Sequence, residues 1–439
     1  MSVTGEMTSR KSFGKIVIRI PKIRLTNENL INFFRYLAAF LVLLPFFPPE
    51  GLGFTGLGNI LMWIKRLQGA ETLALFLYEC YFFVRNLPAI KDRLRKQFVM
   101  FGLVVVLSFL QLFSTWHGGG HMATAFERIY VLMGAYVICD IFMHHTALRS
   151  FRVLTAVFAA VAVVNFAVVL LKYDTMGFRE QGDYWLFGQK NAIRNIVIPS
   201  IAFSSILDRI NHKKCSFLTL LLMLSGVTVL ILVDSSTSIA VIALFAALLL
   251  YLNISNFELF NLKMISIIYI VLEVIIVFMR RIDIFSHIIE STLNRDVTLT
   301  NRTVIWDAAM KVIRQKPIFG EGLVALENSH LTMEGFKASH AHNALLDITL
   351  KCCIVGAAVL VTIVVLCMIQ QFRMKQSSLG AILGMTLGAF LIAGIVGELW
   401  NFGFYTILFT MYYLPEITQQ VEFGNIYTKK RSLRFKLHA

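Results

Sequence analysis

Asn301 to Gln315 reads as an amphipathic helix, with Thr300 or Asn301 as N-cap and Pro317 just past its end. At about 100° per residue, Ile305, Trp306, Ala309, Val312 and Ile313 form an apolar stripe, while Asp307, Lys311 and Arg314 occupy the opposite face. Arg302 falls on the apolar side, so its guanidinium is expected to point at protein or ligand from the first turn, where the helix dipole favours an anion. A second arginine, Arg194, lies in an apolar segment just after Gly188-Gln189-Lys190-Asn191. An arginine in a span costs about 3 kcal/mol at mid-membrane and less near the interface. Lys190 snorkels easily, whereas Arg194 is deeper and either snorkels too or meets an internal anionic partner.

His342 and Asn343 head another apolar segment, which puts an imidazole at a membrane boundary, free to titrate near neutral pH. His340 and His330 lie close by, but the near pair is spaced i, i+2 and no Asp or Glu follows at ligand spacing, so no metal site is expected. Glu398, in Gly397-Glu398-Leu399-Trp400-Asn401, suits a counter-ion for one of the arginines or a general base, pairing being the simpler role. His117-Gly118-Gly119-Gly120-His121 lacks the strand-to-helix context of a phosphate loop and reads as a glycine-rich turn or a gate.

The elements that must position these residues are membrane helices. Apolar residues make up 57% of the chain and charged residues 15%, a balance that excludes an ordinary soluble domain. A spanning helix needs roughly 20 mostly apolar residues. Twelve segments qualify, near residues 30–47, 67–84, 98–115, 125–143, 150–172, 191–208, 216–234, 237–253, 263–279, 343–370, 379–397 and 399–415. The second is the weakest, and Gly51 to Trp63 before it suits an interfacial helix. With twelve spans, the basic clusters before the first span, at Arg85–Lys96, Arg149–Arg152, Arg209–Lys214 and Arg373–Lys375, and in the tail all fall on one side. The positive-inside rule makes that side, and both termini, cytoplasmic. Topology thereby explains most of the net charge of +15, and nucleic acid is not an expected partner.

The expected fold is thus an all-α polytopic membrane bundle of about twelve transmembrane helices. Residues 1–29 form a basic cytoplasmic segment, 30–415 a single membrane domain, and 416–439 a basic cytoplasmic tail. One long outer loop, about residues 280–342, carries short amphipathic helices, and a shorter one covers about 173–190. Gly380, Gly384 and Gly388 recur every four residues and provide a smooth packing strip. The six cysteines fall in spans or near the cytoplasmic side, where core packing is their role.

The order of these motifs resembles the O-antigen ligase and polymerase family, of the Wzy and WaaL type. The shared pattern is Arg302 followed four residues later by Trp306, then Pro317-Ile318-Phe319-Gly320-Glu321-Gly322, then His342-Asn343 at the head of a span containing Gly356. Gly188-Gln189-Lys190-Asn191 resembles the family's Gly-His-Lys-Asn signature, with Gln189 in place of histidine. The ligase branch often has glycine where this chain has Cys353, and Pro45-Phe46-Phe47-Pro48-Pro49 resembles capsule and exopolysaccharide polymerases. The resemblance leans to a polymerase.

It implies transfer of a glycan from undecaprenyl diphosphate to an acceptor hydroxyl on the outer face of the bacterial cytoplasmic membrane, without nucleotide, metal or other cofactor. Diphosphate departure develops negative charge that fixed cations stabilise. Arg302 and Arg194 fit that catalytic role, and His342 either bonds the diphosphate or takes the acceptor proton. Lys190, Asn191, Asn343, Trp306 and Glu398 are the expected substrate-binding residues. The partners implied are the lipid-linked donor, the glycan acceptor, membrane lipid, a flippase and a chain-length regulator. A ligase of the same chemistry is the nearest alternative. A lipid-linked oligosaccharide flippase is the alternative from another class, although internal repeats and deeply placed charges, expected of a transporter, are not evident.

Overall fold

With no water to bond in a hydrocarbon core, an apolar chain satisfies its backbone internally, and the apolar runs here do so as helices. The computed structural model describes residues 27–86, 92–171, 177–179, 182–212, 214–255, 261–279, 302–324, 328–333, 336–374 and 377–421. The basic N-terminal segment, most of the basic tail, loop cations Arg280, Arg281 and Arg295, and the N-cap candidates Thr300 and Asn301 lie outside the described residues.

The helices are α1 (Asn27–Leu43), α2 (Gly58–Asn86), α3 (Asp92–His117), α4 (Met122–Leu171), α5 (Arg194–Ile210), α6 (Phe217–Leu232), α7 (Ser236–Ser255), α8 (Leu262–Leu272), α9 (Arg302–Gln315), α10 (Ala344–Arg373), α11 (Ser378–Ile395) and α12 (Phe402–Tyr412). A π-helical turn, Glu273–Phe278, extends α8. Among the described residues, five helical segments are long and apolar enough to cross a membrane by length and composition: 95–117 in α3, 147–171 in α4, α7, α10 and α11. Leu30–Phe46, Phe217–Leu232 and Phe402–Tyr412 are shorter apolar helices. Every residue of α12 is buried, as are nearly all of α5 and α11, so these form the interior of the bundle. Leu30, Phe33, Phe34 and Leu41 on α1 are exposed, the outward apolar surface expected of a protein solvated by lipid.

The structure departs from the sequence reading at three places. Gly51 to Trp63 is not a separate interfacial helix: a 3-10 turn covers Glu50–Phe54 and α2 already begins at Gly58. The chain is not purely helical either. Gly177–Arg179, Gly182–Trp185 and Gly188–Gln189 form an antiparallel meander, β1-β2-β3, and Thr332–Met333 pairs with Phe336–Lys337 as β4-β5. Aromatic residues between glycines, Phe178, Tyr184 and Trp185, favour such pairing in a segment too short and polar to span. Lastly, the fourth and fifth apolar segments run into one another as the 50-residue α4.

That run is not straight. Residues eight apart in an α-helix lie about 12 Å apart along the axis, yet Ser150 Oγ donates to the Phe142 carbonyl at 2.8 Å. The side chain of Gln420 enters the break, its Oε1 accepting from Ala147 N at 2.9 Å and its Nε2 donating to Met143 O at 3.2 Å. Those two main-chain groups would be partners in a regular helix, so an inserted amide keeps both bonded where the helix bends.

α10 breaks by the same logic. Cys353 has φ 64° and ψ 175°, and the ladder bond between Leu350 O and Ile354 N is replaced from the Pro317–Gly322 turn. Glu321 N donates to Leu350 O at 2.7 Å, and Ile354 N donates to Pro317 O at 3.2 Å. This backbone region belongs essentially to glycine and costs other residues about 1–3 kcal/mol. Cys353→Gly is therefore expected to raise the melting temperature in detergent by a few degrees and Cys353→Val to lower it. A lower melting temperature for the glycine variant would show that the strain is not there.

On α11, a Cβ on Gly388 would stand 2.6 Å from Ile265 Cγ2 of α8, so the glycine strip is the contact it was expected to be.

Candidate functional site

Three chain segments meet the start of α5 and the head of α10 at one end of the bundle. α9 delivers Arg302. It buries Ile305, Trp306, Ala309 and Val312 against α10 and exposes Asp307, Lys311 and Arg314, as its periodicity required. Arg302 is half-buried, and Trp306 is fully buried in a small apolar core with Leu346 and Leu350 of α10, so it anchors the helix. The Pro317–Gly322 turn is held between α10 and the Gly118–Gly120 turn after α3. His121 N donates to Leu323 O and Leu323 N to Thr115 Oγ1. A Cβ at Gly322, whose φ is +78°, would lie 2.5 Å from Thr115 Cα. The glycine-rich turn is thus a surface for close backbone packing. Glu321, buried in the same turn, accepts from the His330 backbone N–H at 2.7 Å and lies 2.6 Å from its Nδ1.

His342, at φ 51°, lifts out of the chain immediately before Asn343, the N-cap of α10. Asn343 is fully buried. Its Oδ1 accepts from Leu346 N at 2.8 Å and its Nδ2 donates to Glu273 Oε1 at 2.8 Å and Ile395 O at 3.1 Å. Asp347, one turn into α10, fixes the approach: its carboxylate accepts from Ala341 N at 3.0 Å and Trp400 Nε1 at 3.2 Å, and pairs with Lys351 Nζ at 2.8 Å. The His340 and His342 rings lie 3.9 Å apart between centroids. Burial, then the neighbouring His340 and Arg302, push His342 well below the ordinary imidazole range. The imidazole is therefore neutral at pH 7 and does not titrate there, contrary to the expectation for a histidine at an open boundary.

Arg194, the first residue of α5, is 2% exposed. Its Nη2 reaches the Glu398 carbonyl only at 3.5 Å, and its Nε has no hydrogen-bond partner. Gly397 leaves room for the guanidinium, which a side chain there would strike. Arg302 lies near enough to act electrostatically on both Arg194 and His342. Glu398 joins these groups but its carboxylate belongs elsewhere, to Arg128 Nη2 at 2.9 Å, with Lys351 Nζ at 4.0 Å. Burial alone would raise the Glu398 pKa, but Arg128 and Lys351 hold it far below the carboxylate range.

Arg194, Arg302, His342 and Glu398 therefore come together. Lys190 and Asn191 instead brace the β3 end against the turn between α6 and α7. Lys190 Nζ is 3.9 Å from Asp234 Oδ2, and Asn191 Oδ1 accepts from Ser235 Oγ at 2.8 Å. Sequence reasoning missed Arg128, Asp347 and Lys351. The last two carried a visible signal, opposite charges four residues apart inside an apolar span.

Beside Glu398 opens a cavity of about 380 Å³, walled by α2, α4, the start of α5 and the 398–403 segment. Its lining mixes aromatic rings (Tyr184, Phe187, Trp400) with Glu50 and the ion pairs Lys65–Glu127 and Arg128–Glu398.

A helical bundle with an apolar outer surface and five helices long and apolar enough to span defines an integral membrane protein, with a cluster of cations at one end. Residues 218–361 match the family model Wzy_C, O-antigen ligase. The match begins in α6 and ends within α10, so it takes in Arg302, His342, Asp347 and Lys351 and leaves Arg128, Arg194 and Glu398 outside. No curated protein matches the chain.

Proposed function

We propose that this protein is a metal-independent glycosyltransferase of the bacterial cytoplasmic membrane that polymerises undecaprenyl-diphosphate-linked repeat units into capsule, exopolysaccharide or O-antigen on the outer face. The observation that carries the reading is Arg194, a buried guanidinium with an unbonded Nε and no ion pair among the described residues. Such a charge is costly unless an anion joins it. Arg302 supplies a second cation to the same place, and guanidinium groups bond phosphate oxygens in pairs.

In this reading the two arginines take the diphosphate of the donor and stabilise the charge that grows as it leaves. Neutral His342 bonds the same group as a directional donor. Trp306, Asn343 and Asp347 hold Arg302 and His342 in place, and Lys190 and Asn191 fix the chain leading to Arg194. In the same reading the twelve spans expected from the sequence, with both termini in the cytoplasm, would put the cluster on the outer side, where a flippase presents the lipid-linked donor. The ligase reading remains the second one, because the matching family model bears that description.

The deciding experiment supplies purified protein with undecaprenyl-diphosphate-linked repeat units. A ladder of longer carrier-linked glycans is expected. A single transfer onto a lipid or wall acceptor would mark a ligase, and folded protein that performs neither overturns the proposal.

A further inference from the structure

The cavity beside Glu398 contains three carboxylates in different circumstances. Glu127 pairs with Lys65 at 2.8 Å and Glu398 with Arg128 at 2.9 Å. Glu50, in the 3-10 turn after Pro48-Pro49, has no hydrogen bond or ion pair to its carboxylate among the described residues. Its Oε2 sits over Gly188, 3.2 Å from where a Cβ would stand. The turn itself is fixed, since Gly51 N donates to Leu186 O at 3.0 Å. A free carboxylate held on a rigid turn and facing a cavity is placed to accept a hydrogen bond from a ligand.

The cavity also adjoins the cation cluster. Asn195 lines it and follows Arg194 in the chain, and Glu398, whose backbone carbonyl lies 3.5 Å from Arg194 Nη2, lines it too. Its volume falls in the range of about 300–1,000 Å³ usual for small-molecule sites, and its mixture of rings and polar groups suits the two faces of a sugar. Carboxylates repel a diphosphate, so the donor's charged end belongs with Arg194 and Arg302 and the neutral acceptor with Glu50.

We propose that Glu50 receives the proton of the acceptor hydroxyl, the acceptor sugar lying in this cavity; the assignment rests on the transferase reading above. The hydroxyl oxygen forms a bond to the anomeric carbon as the bond from that carbon to the diphosphate oxygen breaks. The electron pair leaves on the diphosphate, towards Arg194 and Arg302, and the hydroxyl proton passes to the Glu50 carboxylate. Glu50 is suited to this because its carboxylate is unpaired among the described residues and open to the cavity, as a general base that must reach an incoming hydroxyl has to be.

The test uses full-length Glu50→Gln and Glu50→Asp, with folding checked by thermal melting and donor binding checked with undecaprenyl diphosphate alone. Rates of glycan extension are followed across pH. Glu50→Gln is expected to bind undecaprenyl diphosphate as the wild type does, to lose about 100-fold or more in rate, and to lose the acidic limb of the pH profile. Glu50→Asp should restore part of the rate and keep an acidic limb. A Glu50→Gln protein within threefold of wild type at every pH, or one that keeps the wild-type limb, overturns the assignment while leaving the transferase reading intact. A folded wild type that extends no glycan removes the transferase reading, and the role of Glu50 with it.

Discussion

Arg194→Met is expected to melt no lower than the wild type and to transfer glycan about 10²–10³ times more slowly. The two halves of that result have one cause. A buried guanidinium with an unbonded Nε costs the resting protein desolvation that its neighbours do not return, so a thioether chain of similar length is neutral or stabilising. In the proposed reaction the same cation stabilises the charge that develops on the leaving diphosphate, and removing one fixed donor of that kind costs about 3–4 kcal/mol of barrier. Arg302→Ala and His342→Ala should lose transfer by similar factors while remaining folded. Arg314→Ala, exposed on the far side of α9, should match the wild type. Transfer by Arg194→Met at the wild-type rate would remove the cation cluster from the mechanism; a large loss of stability would show that Arg194 is structural.

Asp347→Ala should fail differently, by losing about 3–5 kcal/mol of stability. Its carboxylate is fully buried and serves Lys351, Trp400 and the Ala341 backbone at once. Deleting it leaves the Lys351 ammonium, 6% exposed, without its partner and frees the chain that presents His342. The double variant Asp347→Ala/Lys351→Met should recover most of the melting temperature, since the stranded charge is gone, but not the transfer rate, since the backbone before His342 is still unpinned. Recovery of both in the double variant would show that Asp347 does nothing for the site beyond neutralising Lys351.

The parts legible in the sequence were those governed by local period. The face of α9 that turns Arg302 and Trp306 inward and Lys311 and Arg314 outward followed from spacing alone, and so did the glycine strip of α11. What spacing could not convey was partnership. Glu398 was expected to neutralise an arginine, and it does, but the partner is Arg128, 270 residues away in the chain. His342 was expected to titrate because its environment was read as an open boundary, whereas desolvation and the neighbouring His340 and Arg302 favour the neutral ring. The bends in α4 and α10 were invisible for a related reason. Each is set by a distant group, Gln420 or the Pro317–Gly322 turn, entering the helical ladder.

The stitching of that turn into α10 has a consequence for exchanging parts between relatives. Loop and span share main-chain hydrogen bonds at Leu350 and Ile354, so neither is a separable module. A chimera that imports the loop ahead of α10 alone would carry an unmatched seam into the helix. The smallest graft that keeps the seam closed runs from Pro317 through Ile354, motif turn and helix break together.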